Sequence, residues 1–228
     1  MGLEYYYDND QYDYEICIDE VGRGCMFGDV VVSSVILPKL HKESFDTKNI
    51  KDSKKFTNKQ KLYSECENIT NNVFFHHTAA LSNDIIDEIN ILQAVMKGMH
   101  QCALRCVEYI HNHEKENFNP QRVLLVIDGN YFIPFEYNGV YIQHVTIKQG
   151  DGKYIGIAAA SIIAKTTRDK DIIQLCQRHP LLNEYYNLEK NVGYGSKAHL
   201  DGINQYGTTQ WHRKTFGSCK GKPINHIG

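Results

Sequence analysis

Tyr14-Glu15-Ile16-Cys17-Ile18-Asp19-Glu20-Val21-Gly22-Arg23-Gly24 is the stretch that decides the fold. Residues 14–18 alternate as a half-buried β-strand does. The strand signal then meets two adjacent acids and two glycines that mark a turn. Residues 30–37 are β-branched and apolar, and Pro38 stops them, which predicts a second strand returning as a hairpin. A strand that ends on an acid pair poses the question of which other strands end on acids.

Residues 122–127 answer it, with a continuous apolar strand that ends in Asp128-Gly129-Asn130. Residues 141–147 read as the next strand. Gly150-Asp151-Gly152-Lys153 then leads into a helix over 157–177, whose small face of Ala158, Ala159, Ala160 and Ser161 allows close approach to a sheet. Between these strand groups, residues 48–61 carry six lysines, and Thr57 is the expected N-cap of a helix to about Ile69. Residues 73–79 read as a strand. Apolar residues from Ile85 to Ile110 recur at helical spacing, with a capping box of Asn90 and Gln93 that breaks the run near residue 90. After Pro180 the signals weaken to a Gly193-Tyr194-Gly195 loop, a short helix capped by Ser196 through Gln205, and an extended tail from Gly217. The pattern suits an α/β or α+β domain with a mixed sheet and a helical C-terminal part.

At 228 residues the chain suits one large domain, with or without a small appendage. The formal net charge of −2 weighs mildly against a nucleic-acid enzyme, but a basic face can sit on a neutral protein. Seven cysteines include no CxxC pair, and Cys102 with Cys106 lacks a completing His or Cys pair, so reduced thiols are expected in place of a zinc site. Residues 1–13 form a polar lead-in rich in Tyr, Asp and Asn. With no apolar run of membrane length and no secretory signal, an intracellular setting is expected, cytoplasmic or nuclear.

Asp19, Glu20, Asp128 and Asp151 are the candidate chemistry. A single acid at a strand end is most often a solvated turn residue; the signal lies in the set. Converged carboxylates suit hard divalent ions, and two such ions can activate water against a phosphodiester. Without an ion the set repels itself, by about 4 kcal/mol for two charges at 4 Å and an effective dielectric of 20, as an upper guide. Gly22-Arg23-Gly24 is a tight turn with a planar cation suited to phosphate. Asp52-Ser53-Lys54-Lys55 reads either as a solvated loop or as a phosphate-backbone contact. His76-His77 and His111-Asn112-His113 are rejected as metal sites, the first because its members face opposite sides of a strand.

These motifs resemble, in order, those of the ribonuclease HII family. Residues 18–24 with Gly28 look like its opening motif, 52–55 its DSKK segment, and 89–94 its NILQA helix. Residues 127–130 and 150–153, the latter followed by 157–165 and Arg168-Asp169, look like its later acidic motifs. Residues 193–200 and 212–216 resemble its C-terminal signatures, of the single-subunit bacterial kind. The resemblance runs from about residue 14 to 216.

It implies an α/β, ribonuclease H-like mixed sheet flanked by helices, with a small helical C-terminal part. The implied division is a polar extension over 1–13, a catalytic domain over 14–190, and a C-terminal segment and tail over 191–228. Asp19, Glu20, Asp128 and Asp151 would be catalytic metal ligands for two Mg2+ or Mn2+ ions. Gly22, Arg23 and Gly24 would read the ribonucleotide 2′-OH, and Tyr194 would pack on its sugar. Ser53, Lys54 and Lys153 are weaker candidates for phosphate contact, and Asp169 is expected to be structural.

The implied partners are RNA–DNA hybrid and DNA with embedded ribonucleotides, met by a monomer without a membrane. Hydrolysis of RNA in such duplexes is the leading reading. A DNA endonuclease on the same fold and a catalytically weak hybrid-binding protein are the alternatives. Two positions depart from the family: Cys25 and Asp29 stand where proline is frequent.

Overall fold

A computed structural model of the protein describes residues 2–8, 10–39 and 45–227. Met1 and Asn9 of the lead-in and Gly228 of the tail therefore lie outside the described residues. One six-stranded sheet has the order β3-β2-β1-β4-β6-β5. Its strands are β1 (Tyr14–Val21), β2 (Val30–Ile36), β3 (Phe75–Leu81), β4 (Val123–Asp128), β5 (Phe135–Tyr137) and β6 (Val140–Ile147). The helices are α1 (Lys59–Asn72), α2 (Asn83–Ile89), α3 (Ile91–Glu114), α4 (Ile155–Arg178), α5 (Leu181–Tyr186), α6 (Leu188–Asn191) and α7 (Lys197–Tyr206). The sheet is mixed: β1–β4 and β4–β6 pair in parallel, and β5–β6 antiparallel.

Several local expectations meet corrections with physical causes. Strand β1 is buried along nearly its whole length and not alternately, because it lies between β2 and β4 inside the sheet. Helix α1 is capped by Asn58, one residue after Thr57; the Asn58 side chain accepts from the Gln60 and Lys61 N–H groups. The break near residue 90 is real. Asn90 has φ 65°, and its Oδ1 accepts from the Gln93 N–H at 3.1 Å. Ser196 caps α7 as the sequence indicates. The tail makes a short 3-10 turn, Gly217–Cys219, and an isolated bridge between Thr208 and Ile224.

The chain forms two compact units that interleave along the sequence. The first comprises Met1–Val21, Val32–Ala79 and Met96–Thr166; the second comprises Gly22–Val31, Ala80–Val95 and Thr167–Gly228. In the first unit Val35, Leu62, Ile69 and the small face of α4, Ala158 to Ala160, share one apolar core. In the second, Phe27, Ile172, Leu182, Tyr186, Leu188 and Ile203 share another.

The lead-in is docked within the first unit and is more than a solvated tail. The Glu4 N–H donates to Lys153 O (2.8 Å), the Ile155 N–H donates to Glu4 O (2.9 Å), and the Tyr6 hydroxyl donates to Pro38 O (2.7 Å). All seven cysteines are free, and all but Cys66 are buried. Among the described residues no helix is long and apolar enough to cross a membrane.

Candidate active site

In the first unit, parallel pairing brings the acids together. Ile18 lies opposite Ile127, so Asp19 and Asp128 come side by side one residue past that pair, Asp128 as the last residue of β4 and Asp19 within β1, which runs on to Val21. Their backbones are then about 4.8 Å apart, the ordinary strand spacing. Asp128 in turn lies opposite Ile147 of β6. From β6 the chain turns through Gln149 (φ 55°) into the 3-10 turn Gly150–Gly152. The Gly150 N–H donates to Asp128 Oδ1 at 2.7 Å, which seats Asp151 beside Asp128. A Cβ on Gly150 would stand 2.5 Å from Ile157 Cδ1 and 3.2 Å from Asp128 Oδ1, so any larger residue there has to shift the Ile157 side chain.

The electrostatics are those of an under-compensated cluster. Asp19 and Asp151 are buried, and Glu20 and Asp128 are half-buried. Burial, then the charges of Asp128 and Glu20, push the Asp19 carboxyl well above the usual carboxylate range. A bond from Ser161 and one from the Glu20 N–H (2.7 Å) act the other way without reversing the shift. Asp151 is also raised, by burial and then by Asp52; Lys54, whose Nζ lies 3.5 Å from Asp151 Oδ2, offsets part of this. The donor set, all carboxylate oxygen, is the chemistry that Mg2+ and Mn2+ take. Among the described residues no three Asp, Glu, His or Cys side chains already converge on one ion position. The fit therefore lies in donor type and charge, and not in a finished cage.

The lysine-segment candidates divide. Ser53 is buried, and its hydroxyl is 2.9 Å from that of Ser161, so it belongs to the hydrogen-bond network under Asp19. Lys54 is exposed and faces the acids. Lys153 is exposed, with its Nζ donating to Lys148 O at 2.8 Å. Sequence reading saw Ser161 only as a small residue; its hydroxyl on a small face is the signal that could have marked it.

The second unit holds the Gly22-Arg23-Gly24 turn and Tyr194. Gly22 has φ +92°, and a Cβ there would stand 2.2 Å from Arg168 Nε. Arg168 is buried and donates to three carbonyls: Asp29 O (2.9 Å), Val192 O (2.7 Å) and Phe27 O (2.8 Å). Arg213, also buried, donates to Gly28 O (2.9 Å) and Arg23 O (3.1 Å). The Met26 N–H donates to Gly193 O at 2.9 Å, joining the two loops directly.

Arg23 and Gly24 remain exposed, and the Tyr194 side chain is partly so, with the residue 43% exposed. Burial and the neighbouring Cys25 thiol push the Tyr194 phenol up to about 12. Cys25 thus replaces the frequent proline with a side chain that touches Tyr194. Asp169 is buried and is among the charges acting on Tyr194. Asp29 answers to charges of its own unit, namely Arg168, Asp171, Arg213 and Asp84. Arg168 and Arg213 both lie in the family-like motifs, but the sequence alone gives neither a role. Arg168 follows Ser161 and Ala164 on the inward stripe of α4, and a cation on a buried stripe is the mark it left.

A family model described as Ribonuclease HII matches residues 16–219. The ribonuclease HII of Cytophaga hutchinsonii is 41% identical over 202 residues, covering 89% of this chain and 88% of its own. That of Bacteroides thetaiotaomicron is 40% identical over 198 residues, covering 87% and 86%. Of solved structures, ribonuclease H2 from Pyrococcus horikoshii OT3 is similar with a TM-score of 0.62 and 21% identity, covering 91% of this chain and 95% of that one. Bst-RNase HIII in complex with Mn2+ is similar with a TM-score of 0.68 and 18% identity, covering 93% and 70%. At those identities the structural likeness bears on the fold alone, and it is a ribonuclease H fold.

Proposed function

Because the chain belongs to the ribonuclease HII family, a type 2 ribonuclease H hydrolysing RNA in RNA–DNA hybrids, we propose that it also nicks duplex DNA at embedded ribonucleotides. Asp19, Glu20, Asp128 and Asp151 are the catalytic metal ligands in this reading. Gly22, Arg23, Gly24 and Tyr194 read the sugar, and the protein acts as a monomer. The observation that carries it is the pair of acids side by side on adjacent parallel strands, with Asp151 tethered beside Asp128 by the Gly150 N–H.

Two divalent ions, Mg2+ or Mn2+, would supply an activated water and charge stabilisation for the leaving oxygen. Mn2+ accompanies the similar ribonuclease HIII structure. The protein's own part is to hold four carboxylates close against their mutual repulsion. Ser161 and Ser53 brace Asp19 from below, and Lys54 offsets charge at Asp151 until substrate arrives. Lys54 and Lys153, both exposed, are then free to meet backbone phosphate. Ser53 contributes by bracing and not by reaching the duplex.

Metal chemistry cannot tell RNA from DNA; contact with the 2′-OH can. The turn at 22–24 exposes Arg23 and Gly24, and Tyr194 offers a ring face and a hydroxyl. The test is cleavage of three duplexes by the wild-type protein: a full hybrid, DNA with one ribonucleotide, and all-DNA. Each is run in Mg2+, in Mn2+ and in chelator. Cutting of the first two, only with metal, is expected. Cutting of all-DNA would favour the DNA endonuclease reading, and binding without cutting would favour a hybrid-binding protein.

A further inference from the structure

Two buried histidines of the second unit, His199 on α7 and His212 after it, form a hydrogen-bond chain whose direction is fixed at both ends. At one end the Thr209 N–H, which can only donate, meets His212 Nδ1 at 2.9 Å; the Thr209 hydroxyl, also 2.9 Å from that nitrogen, can donate to it as well. At the other end His199 Nδ1 is 3.0 Å from Tyr194 O, which can only accept. The first contact makes His212 Nδ1 an acceptor, so its proton is on Nε2. The second puts the His199 proton on Nδ1 and leaves Nε2 to accept. Between them His212 Nε2 and His199 Nε2 stand 3.1 Å apart, and the two assignments agree on one donor and one acceptor.

The chain therefore runs from the Thr209 N–H through His212 and His199 to the carbonyl of Tyr194. That carbonyl also accepts from the Ser196 N–H at 2.8 Å, so the Tyr194 loop is held at its backbone while its side chain stays partly exposed. Both histidines are fully buried, packed by the rings of Tyr186 and, at His212, Phe27. No other titratable group besides Tyr186 and the partner histidine is in ring contact with either among the described residues.

We propose that the His199–His212 pair is a positioning device for ribonucleotide selection, which fixes the Tyr194 loop through one obligatory tautomer of each ring. The proposal rests on the reading of Tyr194 as the sugar contact. Neutrality is built in: with a second proton on either ring, two N–H groups face each other across 3.1 Å or one faces the Thr209 N–H. Burial lowers both imidazoles, and together with His199 it takes His212 down to about 3.

The test has two arms. In wild-type protein, 15N NMR of the imidazoles should find Nε2 protonated in His212 and Nδ1 protonated in His199; the opposite tautomers would overturn the proposal. The kinetic arm measures cleavage at a single embedded ribonucleotide in His199→Leu, His199→Asn, Tyr194→Ala and the His199→Leu/Tyr194→Ala double variant. His199→Leu should lose about tenfold, the scale of one lost buried hydrogen bond. His199→Asn keeps a donor for Tyr194 O and should recover most of that loss. In the Tyr194→Ala background His199→Leu should add nothing, because the side chain that it positions is gone.

Additive losses would overturn the proposal, as would full activity in His199→Leu. If His199→Leu does not fold, His199→Asn decides: folded protein as impaired as Tyr194→Ala contradicts a role for that donor. Full activity of Tyr194→Ala would instead fell the sugar-contact reading itself, a result that the NMR arm leaves untouched.

Discussion

The acid cluster of the first unit and the loops of the second are built on opposite electrostatic plans. Around Asp19, burial and like charges add, and the bonds from Ser161 and the Glu20 N–H only moderate them. Around the Gly22-Arg23-Gly24 turn and Tyr194, nearly every bond is a donor meeting a carbonyl. Arg168 satisfies three, Arg213 two, and the His199–His212 chain one. The first region is held together by the sheet against its own charges, which suits residues that wait for cations. The second is largely bonded in place before any ligand arrives, with Arg213 Nη2 buried and without a hydrogen-bond partner among the described residues, which suits recognition of a sugar by shape.

The largest expected effect tests the first plan. Asp19→Asn or Asp128→Asn should lower cleavage on the order of a thousandfold or more, since several kcal/mol of charge stabilisation are at stake at about 1.4 kcal/mol per decade. Near-normal turnover in Mg2+ and in Mn2+, with folded protein, would break it. The second plan predicts a stability effect. Arg168→Gln strands up to three buried carbonyls, and at about 1 kcal/mol or more for each unmet group it should cost about 3 kcal/mol in urea unfolding. A change under about 0.5 kcal/mol would place Arg168 among tolerant surface positions.

Acid should also separate the regions. His212 has a folded value of about 3, below its ordinary 6.5. The unfolded chain then binds more protons, so the stability from a neutral His212 is full above pH 6.5 and lost as pH falls toward 3. Between pH 7 and pH 5 about 2 kcal/mol should go. Amide protection factors near residues 199–212, corrected for the slower intrinsic exchange in acid, should fall over that range more than those in β1 and β4. The smallest effect concerns metal-free protein. Asp128→Asn keeps an oxygen for the Gly150 N–H while removing one charge, and should raise the Tm by about 2–4 °C, equivalent to about 1 kcal/mol. An unchanged or lower Tm would mean that repulsion is not what limits the cluster.

Legibility in the sequence followed locality. Asp128 at the end of β4, the break at Asn90 and the Ser196 cap are each written within a few residues, and each is found in the structure; Asp19 and Glu20 instead lie within β1, which runs on to Val21. β5, three residues long, carries no period to read, and α5 and α6 after Pro180 are likewise too short. The buried arginines and the histidine chain were hidden for another reason. Arg168 meets carbonyls of residues 27 and 29, and Arg213 that of residue 23, partners about 140 to 190 positions away. No local pattern announces such a bond. The resemblance offers Ser53 as a phosphate contact; its hydrogen-bond partner in the structure, Ser161, lies 108 residues on and has no local signal.

The proposed division of labour between carboxylates that cut and loops that select is tested most directly by Tyr194→Ala on DNA carrying one ribonucleotide, with cleavage rate and duplex affinity measured on the same preparation. Tyr194→Ala should lose cleavage by at least about tenfold with affinity and Tm near wild type, and Tyr194→Phe, which keeps the ring, should lose less. Cleavage by Tyr194→Ala at the wild-type rate, or a loss that only tracks weaker binding, would contradict that division.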